Sequence, residues 1–276
     1  MGGAAMLNVN LLGGTSFSID GALIRSDLGP AGRLLACYLF EFMGRPHRRE
    51  RLADLFWGEM EPDKARSAMN TAVWRIRKML DLGGKGNSRR LVTIGEDVLL
   101  EPSPSVQVDT QALQGLKKRA LGQPQGANLT PADEGQIGAA IDSYSGPFLD
   151  GDDGDWILQE RERLHRIFVR STLELMRCAA RRGEHERALE YGERIIDADP
   201  LRESVQRDVM LLLVLSGQQA KALVAYQKLR SVLQTDLGIE PMPDTKRLHQ
   251  EIESRAIFDR LEGYVSLHFG PAGAQA

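Results

Sequence analysis

A spacing of 34 residues constrains this chain most. Gly183, Ala188 and Leu189 recur as Gly217, Ala222 and Leu223, and Tyr191 is followed by Tyr226 one position out of register. Around them, apolar residues fall at helical spacing over Glu184–Asp197, Leu201–Ser216 and Gln218–Leu237. The glycine makes the turn between two helices. The small alanine five residues on lets the second helix approach the first closely. Asp199-Pro200 closes the first unit, because proline cannot continue a helix. A unit of this length cannot bury its apolar face alone, so copies must stack. A looser third copy reads upstream at Gly135, Ala140, Ile141 and Tyr144.

A 34-residue period with glycine at the turn and alanine five residues on is the tetratricopeptide signature, and such stacks offer a concave groove to a partner. Further helices read over Thr110–Leu121, over Pro131–Tyr144 and from Trp156 to about Arg182, with Asp155 placed to cap the last. Gly122–Thr130 reads as a polar loop.

The first hundred residues read differently. Short strands are expected at Leu7–Leu12, Phe17–Ile19 and Ala22–Ile24, punctuated by Gly13-Gly14 and Asp20-Gly21. Helical patterns follow at Arg33–Met43, Arg48–Trp57 and from Pro62 to about Leu80. A hairpin is expected from Arg90–Ile94 and Val98–Leu100 around Gly95-Glu96-Asp97. Pro102–Ser105 reads as a linker or strand exit. Strands, three helices and a hairpin, in that order, are the arrangement of a winged helix-turn-helix. The expected fold is therefore mainly α: an N-terminal α+β winged helix followed by an all-α tetratricopeptide-like domain.

Charge points to the third helix. The whole chain carries a net charge of −3, which gives no general affinity for nucleic acid. Residues 1–105 are net +2 and residues 106–276 net −5; within Pro62–Arg90 eight basic residues face only Asp63 and Asp81. Such a concentration on an acidic protein is a footprint for a polyanion, unless it is simply a solvated helix face. On a helical wheel Met69, Val73, Ile76 and Leu80 form one stripe. Ser67, Thr71, Lys64 and Lys78 lie opposite, Trp74 and Arg75 border them, and Asn70, Arg66 and Arg77 form a flank. A solvated helix usually intersperses Glu with its Lys; this one does not. Ser67, Asn70, Thr71 and Trp74 are the candidates for base edges, since Asn pairs bidentately with adenine and Thr reaches a thymine methyl or an acceptor. Trp74 keeps a second reading, as a side chain filling an edge of the core. Arg66, Arg75, Arg77 and Lys78, with His47, Arg48 and Arg49 at the start of the second helix and Arg89 and Arg90 at the hairpin base, are candidates for phosphate.

Other chemistries find no footing. The five histidines are scattered, without zinc-ligand spacing. Gly83-Gly84-Lys85-Gly86 lacks the phosphate-loop spacing. In Asp150–Asp155 glycine falls at the fifth position of a calcium loop, and Arg161 stands where the bidentate Glu belongs. No nucleophile–base grouping emerges, so no enzyme activity, metal or cofactor is expected. The longest apolar run, Val209–Leu215, is far short of the ~20 residues of a membrane span. Cys37 and Cys178 stand 141 positions apart in helical patterns, and no basic n-region opens the chain; a cytoplasmic protein is expected.

The stretch Arg51-Leu-Ala-Asp-Leu-Phe-Trp-Gly58, followed by Ala65-Arg-Ser-Ala-Met-Asn-Thr-Ala-Val-Trp-Arg-Ile-Arg-Lys-Met-Leu80, resembles the DNA-binding domain of the Streptomyces antibiotic regulatory protein (SARP) type, a winged helix shared with OmpR-like response regulators. Tyr144-Ser-Gly-Pro-Phe-Leu149, Asp199-Pro-Leu-Arg-Glu203 and Leu237-Gly-Ile-Glu-Pro241 resemble the bacterial transcriptional activator domain that follows it in that family. The resemblance implies an activator that binds direct repeats on double-stranded DNA as a side-by-side homodimer and recruits RNA polymerase holoenzyme. The expected domains are 1–105 (winged helix) and 106–255 (activator domain), with a C-terminal helical extension and tail over 256–276. The hairpin departs from the family: Thr93-Ile-Gly-Glu-Asp-Val98 carries two carboxylates where a Gly-Gly-Tyr-like tip is usual. Two alternatives stay open. One is a tetratricopeptide adaptor whose basic domain binds an acidic protein; the other is the same regulator with a ligand-sensing helical domain. The role of Arg255–Phe269, the operator, the target genes and the sign of regulation stay open as well.

Overall fold

The computed structural model describes residues 5–25, 27–84, 87–122 and 129–270, with side chains assigned outside 117–122. Lys85 and Gly86 of the glycine-rich stretch, most of the expected 122–130 loop and the tail after Gly270 lie outside the described residues. The chain divides into two compact units. The first comprises residues 1–115 and 143–164, the second 116–142 and 165–276. This division runs differently from a cut after residue 105, because a later segment returns to the first unit.

In the first unit, β1 (Leu7–Asn10) pairs antiparallel with β2 (Ser16–Ile19), which pairs with β3 (Ala22–Leu23). Helices α1 (Gly29–Glu41), α2 (Arg49–Trp57) and α3 (Pro62–Leu82) follow, with β4 (His47–Arg48) between the first two. The hairpin is β5 (Leu91–Ile94) and β6 (Asp97–Leu100), and β4 joins β6 to complete a three-stranded sheet. After Pro102–Ser105, which lies outside any strand, the chain enters β7 (Val106–Val108), which was not read from the sequence; it pairs parallel with β1 and closes a four-stranded sheet in the order β3-β2-β1-β7. Leu35, Leu39, Phe40, Met69, Ile76 and Leu80 are all but fully buried and make the core of the three helices.

The Tyr144–Leu149 motif explains the returning segment. Phe148 and Leu149 are buried, and Phe148 bridges to Leu12. Gly13 sits at φ 72°, and a side chain there would strike the Ser145 carbonyl at 2.9 Å, so only glycine allows the two strands of chain to meet. Arg161 donates to the carbonyls of Phe148, Leu149 and Asp152, and Arg33 pairs with Asp152 at 2.5 Å. The acidic turn is therefore tied down by Arg161 and Arg33. Trp156 packs edge-on to Tyr38, Phe56 and Phe148.

In α4 (Asp109–Gly122) and α6 (Asp155–Arg181) the boundary between the units falls within a helix. The second unit adds α5 (Pro131–Asp142), α7 (His185–Ala198), α8 (Glu203–Leu215), α9 (Gln219–Leu237), α10 (Pro243–Glu253) and α11 (Leu261–Phe269). The 34-residue period is visible bond by bond. Gly183 (φ 76°) donates to Ala180 O and Glu184 to Ala179 O; Gly217 (φ 72°) donates to Val214 O and Gln218 to Leu213 O. Both turns are the same glycine-ended helix stop. Ala188 and Ala222 have no exposed surface. The upstream copy fails at its turn: Gly135 lies inside α5, exposed, while Ala140 and Ile141 are buried as helix residues. Residues Arg255–Phe269 form a short 3₁₀ turn and α11, with Ile257 and Phe269 buried. Among the described residues no helix is long and apolar enough to cross a membrane, and no group of three or more His, Cys, Asp or Glu is placed to hold a metal.

Candidate nucleic-acid interface

Helix α3 starts at Pro62, whose missing N–H costs nothing in the first turn. It buries Ala65, Met69, Ala72, Val73, Ile76, Met79 and Leu80. This is the stripe read from the sequence, widened by two alanines and Met79. Packing that stripe leaves the opposite face to solvent. Ser67, Asn70 and Thr71 are exposed, and Trp74 is 59% exposed. The structure thus removes Trp74 from the core. Lys78 Nζ lies 5.4 Å from the centre of the indole, a cation–π contact that holds both side chains along the helix.

Two of the candidate base readers have local partners. Thr71 Oγ1 donates to Ser67 O at 3.0 Å, which leaves its methyl and an acceptor lone pair outward. Arg49 Nη2 donates to Asn70 Oδ1. That bond joins α2 to α3 and leaves both Asn70 N–H donors free of it.

The basic residues separate into two groups. Arg48, Arg66, Lys78 and Arg89 are exposed. Arg66 lies 3.8 Å from Asp63 and Arg75 4.0 Å from Asp27, both solvent-facing contacts worth little. Arg77, in contrast, is a brace: its Nε and Nη2 donate to Leu91 O at 3.1 and 2.9 Å, and Nη2 to Thr93 Oγ1 at 3.2 Å. It fastens the β5–β6 hairpin to α3. Arg90 likewise donates to Pro102 O at 3.3 Å at the hairpin base. His47 sits within the aromatic cluster, its ring centre 4.9 Å from that of Tyr38, with Nε2 buried. Burial pushes its pKa below the ordinary imidazole value, which disfavours the charged ring. Arg77 and His47 therefore have structural partners where the sequence offered only charge.

The hairpin tip presents Ile94, 61% exposed, and Gly95 at φ 58°, followed by the exposed Glu96. The Arg49 N–H donates to Glu96 O at 2.9 Å, which ties the tip to the start of α2. Lys64, exposed one turn before Ser67, and Ile94 belong to this surface and were not singled out as contacts. Lys64 was legible on the same wheel that picked Lys78. The exposed face of α3 thus carries hydroxyls, an amide, an indole and cations, with carboxylates only at the helix ends.

Comparison with known proteins agrees with this architecture. The bacterial transcriptional activator domain model matches residues 108–253. The regulatory protein AfsR of Streptomyces coelicolor is 29% identical over 235 residues, covering 81% of this chain and 22% of AfsR. The transcriptional regulator RedD of the same organism is 27% identical over 253 residues, covering 89% of this chain and 70% of RedD. The chain spans under a quarter of the length of the AfsR proteins it matches. The structure of Mycobacterium tuberculosis EmbR in complex with a low-affinity phosphopeptide shares the fold, with a TM-score of 0.68 and 22% identity, over 95% of this chain and 71% of that one. With a family model over just over half of its residues and relatives of the AfsR and RedD type, the chain belongs to the bacterial transcriptional activator domain family and groups with the SARP-type transcriptional regulators.

Proposed function

We propose that the protein is a sequence-specific, duplex-DNA-binding transcription activator that works without catalysis, in the cytoplasm. The carrying observation is the exposed face of α3, where Ser67, Asn70, Thr71 and the 59% exposed Trp74 stand beside Lys64, Arg66, Arg75 and Lys78, with only Asp63 and Asp27 in loose, solvent-facing contact with two of the cations. In this reading α3 lies in the major groove and its amide and hydroxyls meet base edges. The surrounding cations, with Arg48, Arg49 and Arg89, meet phosphates and set position without reading sequence. Two copies sit side by side on direct repeats, and the second unit offers its helical surface to RNA polymerase.

The test is binding-site selection from random duplexes with the full chain. A defined motif in two direct copies is expected, with affinity falling steeply as salt rises. Arg75→Ala should weaken binding to all sequences and flatten the salt slope by about one. Asn70→Ala should cost about 1–3 kcal/mol at one base position. Failure to enrich any sequence would overturn the reading. An unchanged motif with Asn70→Ala would show that α3 is oriented otherwise.

A further inference from the structure

The second unit contains a cavity of about 760 Å³ between α6, α8, α10 and α11. A void of this size accommodates a drug-sized molecule. Four arginines line it (Arg177, Arg207, Arg247 and Arg260), along with three carboxylates. Each carboxylate has one basic neighbour. Asp208, buried, takes His268 Nδ1 at 2.5 Å; Asp244 faces Arg247 at 3.5 Å; Glu251 Oε1 faces Arg260 at 3.1 Å, while its Oε2 is buried without a hydrogen-bond partner. Arg207 donates only to the Thr245 hydroxyl, at 2.9 Å, and Thr245 in turn donates to Glu203. Arg177 has its Nε buried without a hydrogen-bond partner. Two guanidinium groups on adjoining walls thus lack an acid partner, while each of the three acids faces a base of its own.

Apart from Ser204 and His268, the rest of the lining is largely apolar. Leu173 and Leu248 come from α6 and α10, and Tyr264 and Leu267 from α11. Helix α11 is held in place as a wall. His268 is anchored to Asp208, Arg181 Nη1 donates to Phe269 O at 3.0 Å, and Phe269 is buried. A guanidinium fork selects planar or tetrahedral oxyanions, and its charge rejects cations. We infer that this cavity binds a small amphipathic oxyanion, its head group on Arg177 and Arg207 and its apolar body against Leu173, Leu248, Tyr264 and Leu267. The cavity lies wholly within the second unit, so the inference stands independently of the DNA reading.

Calorimetric titration of the full chain, without DNA, tests it with four probes sharing one alkyl chain: decanoate, decyl phosphate, 1-decanol and decylamine. At least one of the two anions should bind in the micromolar range, at least tenfold more tightly than the alcohol, and the amine should not bind. Preference between decanoate and decyl phosphate identifies the head group as carboxylate or phosphate. The double variant Arg177→Gln, Arg207→Gln should lose at least tenfold for the anion and nothing for the alcohol. Leu267 is 78% exposed, so Leu267→Asp preserves packing and should weaken the same anion. It provides the readout if the double variant does not fold. Equal binding of alcohol and anion, binding unchanged in these variants, or no binding of either anion overturns the inference.

Discussion

Gly192 offers the sharpest measure of the helical packing. It lies in α7, and a Cβ there would come 2.5 Å from Val209 Cγ2 of α8 and 3.3 Å from Met176 Sδ of α6. Ordinary carbon contacts lie near 3.5–4.0 Å, so Gly192→Ala forces a displacement of about 1 Å between packed helices. Overpacking of this kind costs roughly 1–3 kcal/mol. The substitution also gains about 0.8–1 kcal/mol of helix propensity, which hides part of the cost. Gly135→Ala removes that ambiguity. Gly135 is inside α5 with nothing within 4 Å of its Cβ position, so the same change there should stabilise by about the propensity term alone. The difference between the two variants isolates the clash. In a Val209→Ala background Cγ2 is gone and the Val209 Cβ lies at 3.9 Å, an ordinary contact. There only Met176 Sδ, the end of a flexible side chain at 3.3 Å, stays close, and Gly192→Ala should lose most of its penalty, a coupling of at least about 1 kcal/mol. Urea unfolding followed by far-ultraviolet circular dichroism reads all five proteins. Equal effects of the two glycine substitutions, or a penalty undiminished without Val209 Cγ2, would refute the helix–helix approach described here.

Three further outcomes follow from the first unit. Glu41 is buried, accepts from Thr110, Gln114 and Arg163, and burial pushes its pKa from 4.5 up to about 7. The native state therefore keeps a proton that the unfolded chain releases, so this group's stabilisation is lost as pH rises from about 4.5 to about 7, by up to ~3 kcal/mol. Glu41→Gln should abolish that slope, measured as urea midpoints at pH 5 and 7.5; parallel curves for the two proteins would contradict the buried proton. Arg77→Ala removes the bonds to Leu91 and Thr93, and amide hydrogen exchange should accelerate over β5–β6 while α1 stays protected. A chain ended after residue 105 lacks β7, the Asp109 carboxylate that accepts from the Leu11 and Leu12 N–H groups, and Phe148 and Trp156. It should unfold without a cooperative transition, and a sharp wild-type-like melt would show that the returning segment is dispensable.

Local chemistry determined much of this protein. The helices at Arg49–Trp57 and Pro62–Leu82, the β5–β6 hairpin and the 34-residue helical pair were legible because their signals are short-range. Apolar periodicity needs one turn of neighbours, and a glycine at positive φ or a proline acts on its own backbone. The face of α3 followed from the same periodicity, since burying Met69, Val73, Ile76 and Leu80 leaves Ser67, Thr71 and Lys78 no other side. What the tertiary structure alone decided is whatever depends on partners distant in sequence. β7 is a strand because β1 lies beside it, and Val106–Val108 is too short to signal itself. Arg77 and Lys78 are adjacent bases with the same charge, yet only the first meets a carbonyl, because the helix turns it towards β5. His47 counted as a cation until Tyr38 and the surrounding chain removed its water. Gly135 matched a repeat by spacing, but the turn it suggested needs a break in the helix that its neighbours do not supply. The arginines of the cavity stand in three helices and the 3₁₀ turn before α11, and sequence could not place them around one space. Helix and turn formation are governed by neighbouring residues, whereas burial, pairing and a shared cavity depend on which elements pack together.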